Sequence, residues 1–203
     1  VEALLAGQDC LAVLPTGGGK SLCYQLPALV RQGLVLVISP LVALMQDQVR
    51  QLERRGIPAA CMHGGLSTPE RRQLLQRLRD NRLRLLYLAP ERLQAEATRQ
   101  LLDDVLASGR LVALAVDEAH YAKNPEAKRT VAVSSLAKRA RYVTLMTGTA
   151  LENKVEELQN LLHIASPGAV SVIRPMLRAD RSFDKAGIAR QLAHVYLRRT
   201  QAD

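Results

Sequence analysis

Three consecutive glycines, Gly17, Gly18 and Gly19, separate a short apolar run, CLAVL at 10–14, from an amphipathic stretch that begins at Lys20. A strand that breaks into glycine and then starts a helix fits a parallel α/β layer, because a parallel strand needs a long crossover to reach its neighbour. The glycines let the backbone take positive φ and turn its amides inward. The start of the following helix adds unpaired amides and the positive end of its dipole. That combination attracts phosphate. Within LPTGGGKS at 14–21, the residues Thr16, Gly17, Gly18, Gly19, Lys20 and Ser21 therefore form a candidate phosphate cradle. Lys20 would reach the β and γ phosphates of a nucleoside triphosphate, and the Ser21 hydroxyl would bind Mg²⁺. Leu14 stands where the strict pattern has its first glycine.

Further apolar runs recur at 34–38, 59–62, 84–88, 111–116 and 142–146. Several are apolar throughout, as strands buried on both faces should be. Between them helical patterning covers 20–31, 41–55, 68–80, 91–107, 127–139 and 153–164. Thr68, ahead of Glu70 and Gln73, is placed to open one helix, and Gly56 to close the one before it. Repeated strand–helix units with right-handed crossovers predict an α/β fold, a doubly wound and mostly parallel sheet with helices on both faces. The pattern changes after about residue 165. Ser166, Pro167 and Gly168 mark a turn, 174–184 carry mixed charge without periodicity, and 185–199 read as helical. The expected organisation is a nucleotide-binding lobe over 1–165 and a C-terminal helical extension over 166–203. The cradle follows closely on Val1, as expected of a piece cut from a longer protein.

Asp117 closes the apolar run LVALAV at 111–116, which puts it at the carboxyl end of a buried strand. Ligands bind there in open parallel sheets. Its carboxylate would hold Mg²⁺ together with Ser21, and Glu118 would orient and polarise an attacking water. Phosphoryl transfer of this kind needs positioning and charge neutralisation, not a covalent intermediate. His120, the last residue of DEAH at 117–120, is placed to bond a neighbouring loop and report whether nucleotide is bound. Lys20, Asp117, Glu118 and His120 are the candidate catalytic residues.

Lysines and arginines number 28 against 19 aspartates and glutamates, for a net charge of +9. That balance suits a polyanionic partner. With five Tyr, one Phe and no Trp, base stacking is a poor match and contact with a phosphate backbone a better one. Cys10, Cys23 and Cys61 are odd in number and lack metal-ligand spacing, which fits small buried thiols in a reducing compartment. No apolar run approaches the ~20 residues that span a bilayer, and Ser39 and Pro40 interrupt the nearest, 33–45. No signal-peptide pattern opens the chain. The expectation is no membrane, and a cytoplasmic (bacterial nucleoid) or nuclear location.

With these motifs the chain resembles the superfamily-two helicases and translocases, two-lobed motors that use ATP hydrolysis to move along nucleic acid. The resemblance has two flavours. LPTGGGKSLCYQLPAL at 14–29, SPLVALMQDQV at 39–49 and LYLAPERL at 86–93 resemble the RecQ DNA helicases. That likeness implies that Ser39, Pro40, Gln46, Ala89, Pro90 and Glu91 lie near the DNA track. Each segment follows a strand and opens a helix, so free amides would face phosphates. After DEAH the chain carries Tyr121, Ala122, Lys123, Asn124 and Pro125, where RecQ proteins have an aromatic-rich loop. The Lys-Asn pair, LMTGTALEN at 145–153, Glu156, Glu157 and Leu158, and LRRT at 197–200 resemble instead the Swi/Snf-type DNA translocases, with Ala150 where proline is usual.

The resemblance implies that Thr147 and Thr149 couple the γ-phosphate to DNA contacts. It also implies the first RecA-like lobe of a DNA-dependent ATPase, using ATP and Mg²⁺, whose partners are DNA and a second RecA-like lobe. Two outputs stay open. The missing aromatic loop favours duplex translocation; the first half favours RecQ-type strand separation. A nucleotide-dependent module that clamps nucleic acid without turnover is the third possibility, and a natural hybrid and a chimera would read alike. Without the arginine fingers of a second lobe, worth ~10³–10⁵ in rate, the isolated chain is expected to bind nucleotide weakly and hydrolyse it slowly.

Overall fold

The structure, a computed structural model, describes residues 6, 8–14, 18–122, 124, 126–148, 155–166, 168, 170–171 and 196–198. Seven strands are β1 (Cys10–Val13), β2 (Leu34–Ile38), β3 (Ala59–Met62), β4 (Leu85–Leu88), β5 (Leu111–Val116), β6 (Val143–Thr147) and β7 (Tyr196–Arg198). They form one sheet in the order β3-β4-β2-β5-β6-β1-β7, and every neighbouring pair is parallel. The helices bounded among the described residues are α1 (Lys20–Val30), α2 (Val42–Arg54), α3 (Thr68–Arg79), α4 (Glu96–Ala107), α5 (Lys128–Ala137) and α6 (Val155–Ala165). This is the α/β architecture expected from the apolar runs.

The sheet is buried on both faces. Leu11, Val13, Leu36, Ile38, Leu86, Leu88, Leu114 and Leu145 join one core cluster with α3, α4, α5 and α6. Ala12, Val35, Val37, Leu85, Tyr87, Ala113 and Met146 join the other with α1 and α2. Successive strand residues thus alternate between two cores, which explains strands that read as continuous apolar runs.

Some expectations are corrected. The stretch 91–107 is not one helix: a 3-10 turn, Pro90–Gln94, precedes α4. Pro90 lacks the N–H and starts the turn, and buried Leu93 anchors it. The cap of α3 is Ser67, not Thr68, and forms a capping box with Glu70. Gly56 follows α2 with φ +72°, as a closing glycine should. The described part of 185–199, Tyr196–Arg198, is not helical: it pairs in parallel with β1 as Leu11↔Tyr196, Ala12↔Leu197 and Val13↔Arg198. An open β1 edge favours such pairing over helix. Among the described residues no helix is long and apolar enough to cross a membrane.

Candidate nucleotide-hydrolysis site

The loops after β1, β5 and β6 meet at the carboxyl edge of the sheet. β1 lies beside β6, and β6 beside β5, so three loops distant in sequence start within two strand spacings, roughly 10 Å. The Leu14 amide donates to the Thr147 carbonyl at 3.1 Å and fixes the start of the glycine loop. Gly19 caps α1 with φ +76°, a left-handed conformation that glycine takes without strain. Lys20 and half-buried Ser21 open α1, where the first amides have no intrahelical acceptor. Thr16 and Gly17 lie outside the described residues.

The central contact is an ion pair. Lys20 Nζ donates to Glu118 Oε1 at 2.9 Å, with side chains only 12% and 20% exposed. Glu118 reaches it from a left-handed backbone, φ +50°, which costs a non-glycine residue roughly 1–2 kcal/mol. The geometry around it holds that conformation. Asp117 is 6% exposed; its amide donates to the Ile38 carbonyl at 2.8 Å, and its Oδ1 accepts from the Glu118 amide at 3.1 Å. Burial pushes the Asp117 carboxyl above the ordinary range, and the neighbouring Glu118 charge adds to this. Lys20, the Glu118 amide and His120 partly oppose it. Two carboxylates facing one ammonium leave the pocket short of positive charge.

His120 joins the third loop. Its Nδ1 lies 3.3 Å from Thr147 Oγ1 and 3.4 Å from Glu118 Oε2. A Cβ on Gly148 would lie 4.0 Å from Lys20 Nζ and 3.8 Å from the Leu14 carbonyl oxygen. Gly148 thus lies against both the lysine and the start of the glycine loop. Thr149, Lys123, Pro125 and Ala150 lie outside the described residues.

The track candidates divide. Pro40 and Pro90 line one shallow cleft with Asp117, Glu118 and Tyr121, so both segments reach the hydrolytic loop. Glu91 is exposed. Gln46 is half-buried, with its amide nitrogen 3.2 Å from His63 Nε2. Ser39 and Ala89 are 2% and 0% exposed. Their amides donate to the Leu88 and Met62 carbonyls at 3.1 Å. The expectation that free amides in these segments face phosphate therefore fails at both positions: parallel pairing runs one residue past each strand and uses them.

Two supporting groups went unread in the sequence. Gln25, 8% exposed, donates to Gln48 Oε1 at 2.5 Å and lies 3.4 Å from the Tyr87 hydroxyl. It ties α1, and so Lys20, to α2 and β4. Arg129 donates from Nε to the Tyr121 carbonyl at 2.9 Å and lies 5.7 Å above the Tyr121 ring, fastening the segment after DEAH to α5. A lone buried glutamine and one arginine among many give no periodic signal. A cavity of about 710 Å³ opens between α5 and α6 beside Asp9 and Lys138, away from this chemistry.

A parallel sheet whose carboxyl edge brings a glycine–lysine loop against an acidic pair defines the RecA-like class of nucleotide-binding fold. Residues 1–158 match the family model of the DEAD/DEAH box helicases, and the chain belongs to that family. It is similar to the ATP-dependent DNA helicase RecQ of Synechocystis, 55% identical over 120 residues, covering 59% of this chain and 25% of that protein. It is 37% identical to the probable ATP-dependent DNA helicase RecS of Bacillus subtilis, over 92% of this chain and 38% of the relative. Against ATP-dependent DNA helicase Q5 of Rattus norvegicus it is 38% identical, over 91% of this chain and 20% of the relative. The chain thus spans 20–38% of the length of these curated relatives. Its fold matches the Sulfolobus solfataricus SWI2/SNF2 ATPase core in complex with dsDNA, with a TM-score of 0.66 and 19% identity, over 100% of this chain and 42% of that one.

Proposed function

We propose that this chain is the first RecA-like lobe, over 1–165, of an ATP-hydrolysing motor that acts on DNA. The observation that carries this reading is the convergence of Lys20 on Glu118 at 2.9 Å beside buried Asp117. Lys20 and the start of α1 bind the β and γ phosphates, with Thr16, Gly17, Gly18 and Gly19 shaping the cradle. Glu118, released from Lys20 when phosphates take the ammonium, is free to accept a proton from water. The His120–Thr147 contact links the acidic loop to β6, and with Thr149 would transmit the state of the site to the track segments around Pro40, Gln46, Pro90 and Glu91.

The donor set suits Mg²⁺. Among the described residues no group of three or more His, Cys, Asp or Glu makes an all-protein metal site. Mg²⁺ is ordinarily held by one or two carboxylates plus substrate phosphates. Asp117 and Ser21 would hold it, and burial that raises the Asp117 carboxyl is relieved by any cation beside it. When bound, the ion neutralises charge developing on the phosphates.

The relatives named as DNA helicases support DNA as the polymer. The second lobe would close over the exposed side of the pocket and supply arginines, and the motor would work in the cytoplasm, on the bacterial nucleoid, or in the nucleus. Between outputs, the segment after DEAH holds only Tyr121 as an aromatic before Pro125, which supports duplex translocation over strand separation. The test uses the full-length parent protein. DNA-stimulated phosphate release should depend on Lys20 and Glu118, and triplex displacement on blunt duplex should proceed without unwinding of a fork. ATP hydrolysis that survives Lys20→Ala removes the site assignment; efficient fork unwinding reverses the output.

A further inference from the structure

Among the described residues, arginines also collect at the edge of the sheet away from the proposed track. Five loops feed strands at the amino edge of the sheet, the edge opposite the hydrolytic site: 31–33, 55–58, 80–84, 108–110 and 138–142. Each carries an arginine, namely Arg31, Arg55, Arg84, Arg110 and Arg141, and the sole carboxylate in these loops is Asp80. Asp9, just ahead of β1, accepts from the Val143 amide at the same edge. In the described connections at the carboxyl edge Glu91, Asp117, Glu118 and Glu126 outnumber Arg92.

Sheet order sets the arginines in a row. Along β3-β4-β2-β5-β6 the sequence is Arg55, Arg84, Arg31, Arg110, Arg141, one per strand. At ~4.8 Å per strand the row spans roughly 20 Å, about six base pairs of duplex rise. Backbone bonds knit it together: Arg84 N to the Pro58 carbonyl at 2.8 Å, Val35 N to the Arg84 carbonyl at 2.9 Å, and Leu34 N to the Arg110 carbonyl at 2.8 Å. The Arg31 guanidinium reaches along the row to Tyr142, 4.8 Å from the ring centroid, where Arg141 lies 5.4 Å away; Arg31 donates to the Tyr142 hydroxyl and Arg110 to the Leu78 carbonyl. Arg55 and Arg141 are exposed and Arg84 half-buried. No ion pair of these three is found among the described residues, whereas Arg82 and Arg139 of the same loops are paired with Asp80 and Asp103.

We propose that this amino-edge row is a second nucleic-acid surface, which grips the phosphate backbone of a duplex segment separate from the one on the track. Sequence-independent backbone contact is what a line of guanidiniums without a base-reading element provides. A duplex held at both edges of the lobe would be a loop or a crossing of two segments, so the surface would favour folded or branched DNA.

The test measures binding of a blunt duplex to this chain by fluorescence anisotropy over a series of salt concentrations. The variant carries Arg55→Gln, Arg84→Gln and Arg141→Gln. Each lost phosphate contact should lower the slope of log K against log salt by about 0.9, so the slope should fall by roughly 2–3 and affinity at low salt at least tenfold. Nucleotide binding should be unchanged, which separates this surface from the hydrolytic site. Equal slopes for the two proteins overturn the proposal. So does tight capture of polyglutamate by the same arginines with no loss of duplex binding, which would mark an acidic-protein surface. A second measurement needs no variant: arginine-selective dicarbonyl labelling of the native chain should be blocked at Arg55, Arg84 and Arg141 by saturating duplex, and labelling that continues at all three overturns it as well.

Discussion

The Lys20 ammonium and the Glu118 carboxylate lie 98 positions apart in the chain and 2.9 Å apart in space. On the proposed reading, a triphosphate that recruits Lys20 takes it from Glu118 and frees that carboxylate to act as a base. Glu118→Gln removes the competing charge. Nucleotide affinity should rise roughly two- to tenfold, the worth of a partly exposed ion pair. Hydrolysis by the full-length protein should fall at least ~10²-fold. Titration calorimetry and phosphate release check the two halves separately, and hydrolysis that persists removes Glu118 from its role.

Asp117 is a destabilising carboxylate. Burial, then Glu118, raises its folded pKa above the ordinary value. The folded state therefore holds this proton to higher pH than the unfolded chain does. Stability falls as pH rises from the ordinary carboxylate range through the raised folded pKa, and the full penalty stands above it. Asp117→Asn keeps Oδ1 as acceptor for the Glu118 amide and deletes the charge. At neutral pH its Tm should rise by about 1–4 °C, and the gain should vanish toward acid pH. A Tm lower than the parent's at neutral pH contradicts this.

The His120–Thr147 contact, 3.3 Å between Nδ1 and Oγ1, is a side-chain link from the acidic loop to β6. If it transmits, His120→Ala should leave nucleotide and DNA each able to bind while their mutual effect collapses. Coupling of this type ordinarily changes affinity about 5- to 150-fold. DNA affinity measured with and without a non-hydrolysable ATP analogue should become nearly equal in the variant. Retained coupling assigns transmission to other residues.

Gly33 sits at the amino edge with φ +134°, where a Cβ would lie 2.4 Å from Val112 Cγ2 and 2.6 Å from the Arg110 carbonyl oxygen. Gly56, at φ +72°, has open space around it. Gly33→Ala should cost roughly 2–4 kcal/mol through clash and backbone strain, and Gly56→Ala about 1 kcal/mol through strain alone. Thermal unfolding of the two variants side by side checks the order, and equal losses would show that the Val112–Arg110 approach is relaxed in solution.

The sheet was legible because strands buried on both faces must be apolar throughout, as Leu34–Ile38 and Leu111–Val116 are. Their ends read to within about one residue because Gly33, Pro40 and Asp117 punctuate them. The meeting of Lys20 with Glu118 beside Asp117 was legible because the glycine–lysine loop and the acidic pair each stand at the end of an apolar run. What could not be read was direction and company. Ser39 and Ala89 sit in segments that look exposed, yet parallel pairing continues past the strand ends and buries both. Glu118 takes φ +50° because its neighbours hold it there, a tertiary effect with no local signature. Tyr196–Arg198 carries enough leucine and arginine to look helical, and the β1 edge decides otherwise. The row of arginines at the amino edge is invisible in sequence order, since β3, β4, β2, β5 and β6 are neighbours only in the sheet.

The most direct measurement is calorimetric titration of this chain with a non-hydrolysable ATP analogue, with and without Mg²⁺, for the parent, Lys20→Ala and Asp117→Asn. Convergence of Lys20 and Asp117 on one magnesium triphosphate requires that Lys20→Ala abolish binding under both conditions. Asp117→Asn should retain the metal-free affinity and lose the enhancement by Mg²⁺. Binding by Lys20→Ala at the parent's affinity, or an undiminished Mg²⁺ enhancement in Asp117→Asn, would contradict a shared site.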